Sequence, residues 1–281
     1  MVDLRDIKER AFMFVAIISG LIAILPIVHI ILSVLERGLP VILASGFGFL
    51  TDPPPPPGSG SIGGIGPSLV GTFMLTLMSS LIGVPLSFAS ALFAVEFPEN
   101  PIARGVRSLS KALLQIPSVL VGMLMYTLVV VPMGRFSMLA GSLALAVMMI
   151  PYVTTYVEEA LENVPKTYRE AGYALGFKRT QVVFKISVGI AKRGIMTGIL
   201  IGLAKVTGET APLIFTVGKQ RQSISLNPLD YSDSVSLLIF DFVQTPYRNW
   251  HSLAWGAALV LTLVFLTIFL ISRSLAKRVV L

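Results

Sequence analysis

The sequence contains no cysteine, which excludes disulfides, thiolate nucleophiles and thiolate metal sites. Histidine is nearly absent too. His29 and His251 lie far apart, each near the end of an apolar run, a placement that suits interfacial packing rather than a metal centre. Charged residues make up only 13% of the chain against 54% hydrophobic. No long stretch is free of an apolar run, so no soluble domain is expected, and the composition is that of a multispan membrane protein. No GxxxxGK[ST] loop occurs, so nucleotide hydrolysis of that type is expected elsewhere.

Apolar runs at about 11–35, 67–95, 112–131, 137–157, 194–217 and 251–271 are long enough to cross a bilayer. The first is too long for a signal-peptide core and lacks a small-residue cleavage site, so a retained helix is expected. The net charge of +7 resolves into a topology signal instead of a nucleic-acid footprint. Of the 22 basic residues only Arg37, Arg135, Lys219, Arg221 and Arg248 fall on the outer side of a six-span arrangement, and Lys205 falls inside a span. The others, from Arg5, Lys8 and Arg10 to Arg273, Lys277 and Arg278, cluster on the inner side, which predicts an all-α, six-helix membrane protein with both termini cytoplasmic.

Between the first two spans, five consecutive prolines, Pro53 to Pro57, precede a glycine-rich run, predicting a polyproline II spacer and a flexible tail. Residues 67–95 carry Thr72, Thr76, Ser79, Ser80 and Ser87, most of them expected to bond helix carbonyls or neighbouring helices. Arg104, Arg107 and Lys111 are expected in a short basic loop, and Pro151 is expected to kink its helix. The segment 234–243 is too short to span and is expected at the membrane interface.

The most informative stretch runs from Gly194 to Phe215. At 100° per residue Gly194, Gly198, Gly202, Lys205, Glu209 and Pro212 fall within roughly 80° of one another. A glycine ridge, suited to close helix packing or to a pathway, therefore runs into a charged pair at i,i+4 spacing. Lys205 lies roughly 17 Å along the helix from Gly194, near the middle of a ~30 Å hydrocarbon core. A charge there costs about 2.5–3.5 kcal/mol on insertion scales, so such groups pair, face a bundle interior or line a water-filled path. Mutual neutralisation is the structural alternative. An intramembrane acid–base enzyme would need a partner for Glu209, yet the predicted spans offer only Lys205, with no Asp, no Cys and no central His.

The polar segment 158–193 contains Glu170-Ala171-Gly172, then Gly176, then Ile186. This resembles the EAA loop of ABC-importer permeases, with Gly172 in place of the second alanine and Val188-Gly189 in place of Leu-Pro. Gly176 is suited to a turn between two short helices. The run Lys205-Val-Thr-Gly208-Glu209-Thr210-Ala-Pro212-Leu-Ile-Phe215-Thr216 is similar to the signature of PstA-type phosphate permeases, which usually carry arginine where this chain has Lys205. Pro246 to Trp255 is also similar to that family's last loop and helix.

The resemblance implies a type I importer permease bundle of the MetI-like kind, with residues 1–66 as an N-terminal helix and outer loop, 67–272 as the permease core and 273–281 as a basic tail. It implies that Lys205, Glu209 and Thr210 serve a substrate pathway, bordered by a ridge of Gly194, Gly198, Gly202 and Gly208. Glu170, Ala171, Gly172 and Gly176 would meet a cytoplasmic ATPase. The implied partners are a homologous PstC-type permease, a dimeric PstB-type ATPase, an extracytoplasmic PstS-type phosphate-binding protein and the lipid bilayer. No cofactor, metal, catalytic residue or nucleic acid is implied for this chain. Permeation of another oxyanion, such as sulfate or molybdate, and a passive anion channel are the alternatives.

Overall fold

The computed structural model describes residues 4–277. Arg278 lies outside them, and so do the side chains of Arg5, Arg10 and Lys277. Among the described residues the fold is helical, with one isolated bridge between Gly218 and Ser232 and no sheet. Among the described residues five helices are long and apolar enough to cross a bilayer, or six if a sharply bent helix pair is taken as one span.

Helix α1 runs Leu4–Ser45, through Pro26 and Pro40, ten residues beyond the predicted end at 35. Packing extends it. A Cβ at Gly38 would lie 2.7 Å from the Trp255 carbonyl oxygen, and the Arg37 guanidinium lies 4.9 Å from the Trp255 ring centre. Val34 and Val41 are buried, whereas the apolar residues before them are exposed. A single turn, α2 (Gly48–Thr51), buries Phe49.

The Pro/Gly segment is not the flexible tail expected of it. Pro54 and Pro55 are buried, Trp250 Nε1 donates to the Pro55 carbonyl at 3.0 Å, and Asn249 bonds both the Pro56 carbonyl and the Gly58 amide. Gly63, at φ +64°, turns the chain so that the Gly64 amide reaches the Pro53 carbonyl at 3.1 Å. Proline rigidity and glycine freedom together build a folded cap.

Helix α3 (Gly66–Glu96) opens with Pro67 in its first turn, where the missing N–H costs nothing. Thr72, Ser79, Ser80 and Ser87 all bond carbonyls of their own helix, and Ser87 also reaches the Ile150 carbonyl. The predicted basic loop is instead a helix, α4 (Pro101–Leu113), whose Asn100 cap accepts from the Ile102 amide at 2.8 Å. It meets the next span, α5 (Ser118–Met133), at a 109° bend. Pro117 disfavours helical geometry at Ile116 and starts that span six residues later than predicted.

Helix α6 (Met138–Glu162), capped by Ser137, continues through Pro151 and is the most buried span. Leu145, Met149, Val153 and Val157 on α6 form the main core with Leu75 of α3. After α6 come the short helix α7 (Lys166–Ala174), a turn at Gly176 with φ +80°, and α8 (Arg179–Thr207). The fifth span thus begins well before residue 194 and carries Lys185, Lys192 and Arg193 in helical turns at its inner end.

It also ends early, at Thr207. Gly208 breaks it and α9 (Ala211–Ile214) follows with Pro212 near its start, where proline is tolerated. Helix α10 (Val235–Phe242) is packed into the bundle, with Val235, Leu238 and Phe242 buried in one cluster with Phe49, Ile65 and Leu253 and Leu237 buried in the main core. Its Ser234 cap accepts from the Leu237 amide at 3.1 Å. The last helix, α11 (Arg248–Lys277), lies along α1, α8 and α10.

Candidate functional site: a charged pair at a helix break

Lys205 stands in the last turn of α8 and Glu209 just beyond the break. Their side chains still meet, with Lys205 Nζ 2.5 Å from Glu209 Oε1. The pair is asymmetric: the Glu209 side chain is 8% exposed, whereas that of Lys205 is 38% exposed and faces Tyr152 of α6, 5.8 Å from Nζ to the ring centre. The carboxylate is anchored inside and the ammonium is offered outward. Ser236 of α10 donates to the Glu209 carbonyl at 2.8 Å, fixing the non-helical backbone there. Thr210 is half-buried and its carbonyl accepts from the Leu213 and Ile214 amides, starting α9.

The glycine ridge is a packing surface. A Cβ at Gly194 would lie 2.7 Å from Ala160 Cβ, at Gly198 2.7 Å from Tyr156 Cβ, and at Gly202 2.3 Å from Val153 Cγ2. At Gly208 it would lie 2.5 Å from Phe265 of α11. Side chains of α6 and α11 fill the space that a ridge-lined pathway would need, so these glycines let α8 approach closely. An apolar cleft of about 540 Å³ opens between α3, α10 and α11, lined by Phe73, Val264 and Ile268 with Thr76 and Thr207 among its few hydroxyls. Lys205 is not in its wall, and a lining this apolar suits acyl chains better than an anion.

At the end of the bundle where α8 stops, a buried ion cluster closes over the helices. Arg221 donates to both Asp233 oxygens, from Nε at 2.9 Å and Nη2 at 3.3 Å, and to Asp241 at 2.6 Å. Ser68 of α3 donates to Asp233 at 2.5 Å, and Lys219, at φ +62°, is held to Asp241 at 3.0 Å. Burial pushes the Asp233 carboxyl above the usual aspartate range. Burial also works against the Arg221 charge, but Asp233 and Asp241 outweigh it and hold that guanidinium above its ordinary range. Asp230, exposed nearby, is held below the usual range by the Ser225 hydroxyl and by Arg135. In the sequence Arg135, Lys219 and Arg221 stand out only as basic residues between spans, and nothing there marks their carboxylate partners.

At the end of the bundle where α8 begins, Gly172 is buried, and a Cβ there would lie 2.3 Å from Ile186 Cδ1. The glycine in place of alanine and the isoleucine fourteen positions on are therefore touching partners in α7 and α8. Glu170 and Ala171 are exposed, flanked by the exposed rings of Tyr168 and Tyr173, with Leu175 and Phe177 exposed beyond. Four large apolar side chains around one carboxylate form a surface suited to a protein partner. Glu96, which ties this segment to α3 through Arg169 and Arg179, lies outside every predicted span and motif, so the sequence alone does not mark it.

Residues 83–280 match the family described as binding-protein-dependent transport system inner membrane component. The chain belongs to that family. It is a transport permease of the membrane, with 49% identity over 98% of its length to the probable phosphate transport system permease protein PstA of Methanocaldococcus jannaschii, 95% of which is covered. A second relative, the phosphate transport system permease protein PstA of Yersinia pestis, is 32% identical over 96% of this permease and 90% of its own length. Among solved structures, the permease matches the bacterial ABC transporter that imports the acidic polysaccharide alginate at a TM-score of 0.67, with 16% identity and 99% of each chain covered. It matches the inward-facing MetNI methionine ABC transporter at 0.61, with 18% identity, over 77% of this chain and 94% of that one. These likenesses carry the fold, that of type I ABC-importer permeases.

Proposed function

We propose that this chain is the PstA-type subunit of an ATP-driven importer that carries inorganic phosphate into the cell. It forms the pathway with a homologous PstC-type permease, meets a dimeric PstB-type ATPase through the Glu170–Gly176 surface, and receives phosphate from a PstS-type binding protein outside. Both termini are cytoplasmic, and ATP is hydrolysed in the separate subunit.

The observation that carries this reading is the partly exposed Lys205, paired with the buried Glu209 at the break that ends α8, within the run that the phosphate permeases share. A cation open on one side of its ion pair attracts an anion. Lysine is a point charge without the fork that grips two oxygens at once, so it draws phosphate in without clamping it. Glu209, anchored through its backbone by Ser236, keeps Lys205 charged and in place between passages. Thr210 adds a hydroxyl next to the pair. Closure of the ATPases moves α7, and the bundle alternates between outward and inward openings, so this subunit needs no catalytic group and no cofactor of its own.

The test is ATP-dependent uptake of labelled phosphate by the reconstituted complex. Lys205→Ala is expected to lower uptake by roughly tenfold or more with assembly intact, and Lys205→Arg to retain it, since one lost charge interaction of ~1.4 kcal/mol is a factor of ten. Unchanged uptake in both Lys205→Ala and Glu209→Gln would reduce the pair to a structural role. Uptake competed by sulfate or molybdate as well as by phosphate would shift the cargo, and flux without ATP would indicate a channel.

A further inference from the structure

The inner end of α3 is gripped from three directions. Glu96, its last residue, has a side chain only 7% exposed. One carboxylate oxygen pairs with Arg169 of α7, and the other lies 3.4 Å from Nε of Arg179, the first residue of α8. Arg179 Nη2 also donates to the Glu96 carbonyl at 2.5 Å, and its guanidinium lies 4.3 Å from the ring centre of Phe97. Two residues back, the Ala94 carbonyl accepts from Arg107 of α4 at 3.2 Å, while Arg107 pairs with Glu158 and Glu162 of α6.

These contacts divide the labour. Arg107 ties α3 to α4 and α6, elements within the bundle. Arg169 and Arg179 stand on the two sides of the Gly176 turn, and both end on one carboxylate. Helix α7 touches α8 through Gly172 and Ile186, but its ion pair to α3 passes through Glu96. Its other side, with Tyr168, Glu170 and Tyr173, is exposed. Helix α3 in turn carries Thr76, 3.4 Å from Thr207, which lies between Lys205 and Glu209 in sequence. A buried carboxylate held by two arginines is a stiff joint, because moving either arginine alone leaves a charge unpaired in a poorly solvated place.

We propose that Glu96 is the positioning residue that makes α7 and α3 move as one body, delivering the ATPase stroke to the helix that flanks the charged pair. The proposal rests on the importer reading above. A merely static brace would, when cut, loosen the inner ends of the helices and lose assembly and every activity together. A transmission joint, when cut, leaves the ATPase docked and turning over while the pathway ceases to follow.

The experiment uses the full complex with cysteine-free partners, since this chain has no cysteine of its own. Spin labels at Leu81→Cys on α3 and Lys166→Cys on α7, both exposed positions, report the distance between the two helices before and after ATP binding. That distance is expected to stay constant in the otherwise unaltered chain and to change in Glu96→Gln. In parallel, Glu96→Gln is expected to keep ATPase co-purification and binding-protein-stimulated hydrolysis while phosphate moved per ATP falls roughly tenfold, within the usual range of coupling energies. Glu96→Asp, which keeps the charge, should recover part of that ratio.

A distance that already changes on ATP binding without the Glu96 substitution would overturn the proposal. So would an unchanged transport ratio in Glu96→Gln, or loss of assembly and hydrolysis together. If the unaltered complex fails to import phosphate, the cargo reading falls, while the distance measurement still decides the joint.

Discussion

Lys205 and Arg221 are both cations held by carboxylates, yet their settings differ. Arg221 is 15% exposed and satisfies an Asp233 side chain that is fully buried. Removing one partner of such a pair leaves the other charge stranded, which costs about 3–5 kcal/mol. Arg221→Ala is therefore expected to lower stability by about that amount in detergent denaturation, with Arg221→Lys falling between because it cannot serve two carboxylates with a planar fork. Asp230 provides a pH readout. Its folded pKa lies below the ordinary value through Ser225 and Arg135, so its contribution is complete above the ordinary aspartate range and is lost as pH falls through the lowered value. Protease protection of the 225–231 loop should fall with acidification over that window, and Asp230→Asn should remove the pH dependence.

The contact between α6 and α8 depends on glycine at defined turns. At Gly202 a methyl group would lie 2.3 Å from Val153 Cγ2, the end of a stiff β-branched side chain that cannot swing aside. Gly202→Ala is expected to cost about 1–3 kcal/mol by overpacking, measured as a shift in thermal unfolding. This ridge was legible as a periodicity, and so were the charged pair, the Gly176 turn and the placement of most spans. What the ridge packs against was not legible, because a small-residue stripe does not say which neighbour fills it. Helix ends were misread for a related reason. Lys185, Lys192 and Arg193 look like loop residues by hydropathy, but they stand in helical turns that run unbroken into the apolar part of α8. Long-range ion pairs lay wholly beyond pattern reading: Glu96 and Arg179 are brought together by the turn at Gly176, and Asp233 and Ser68 by the packing of the outer loop on α3.

At the level of the whole molecule, the Glu96 and Asp233 clusters bracket the bundle, and the Pro/Gly cap closes the end nearer Asp233 over Trp250. The proposed orientation puts this cap outside and α7 inside. Gly60, exposed with no atom within 4 Å of a would-be Cβ, is a site for a probe. On intact cells Gly60→Cys should react with an impermeant maleimide, whereas Lys8→Cys should react only after permeabilisation. The reverse pattern would invert the topology. The apolar residues of α1 before Val34 are exposed among the described residues, a face that suits lipid or a partner subunit.

The break at Gly208 has a further, kinetic consequence. It ends α8 in the very turn that bears Lys205, and a helix C-terminus carries roughly half a negative charge. An anion arriving there meets one attractive ammonium, one carboxylate and a repelling helix end. On the proposed pathway such a stop would be shallow, with a short dwell and easy departure in either direction. Such a site is easily entered and as easily left, which is what a conduit requires. Direction must then come from whichever side is open at that moment, since the depth of the site supplies none.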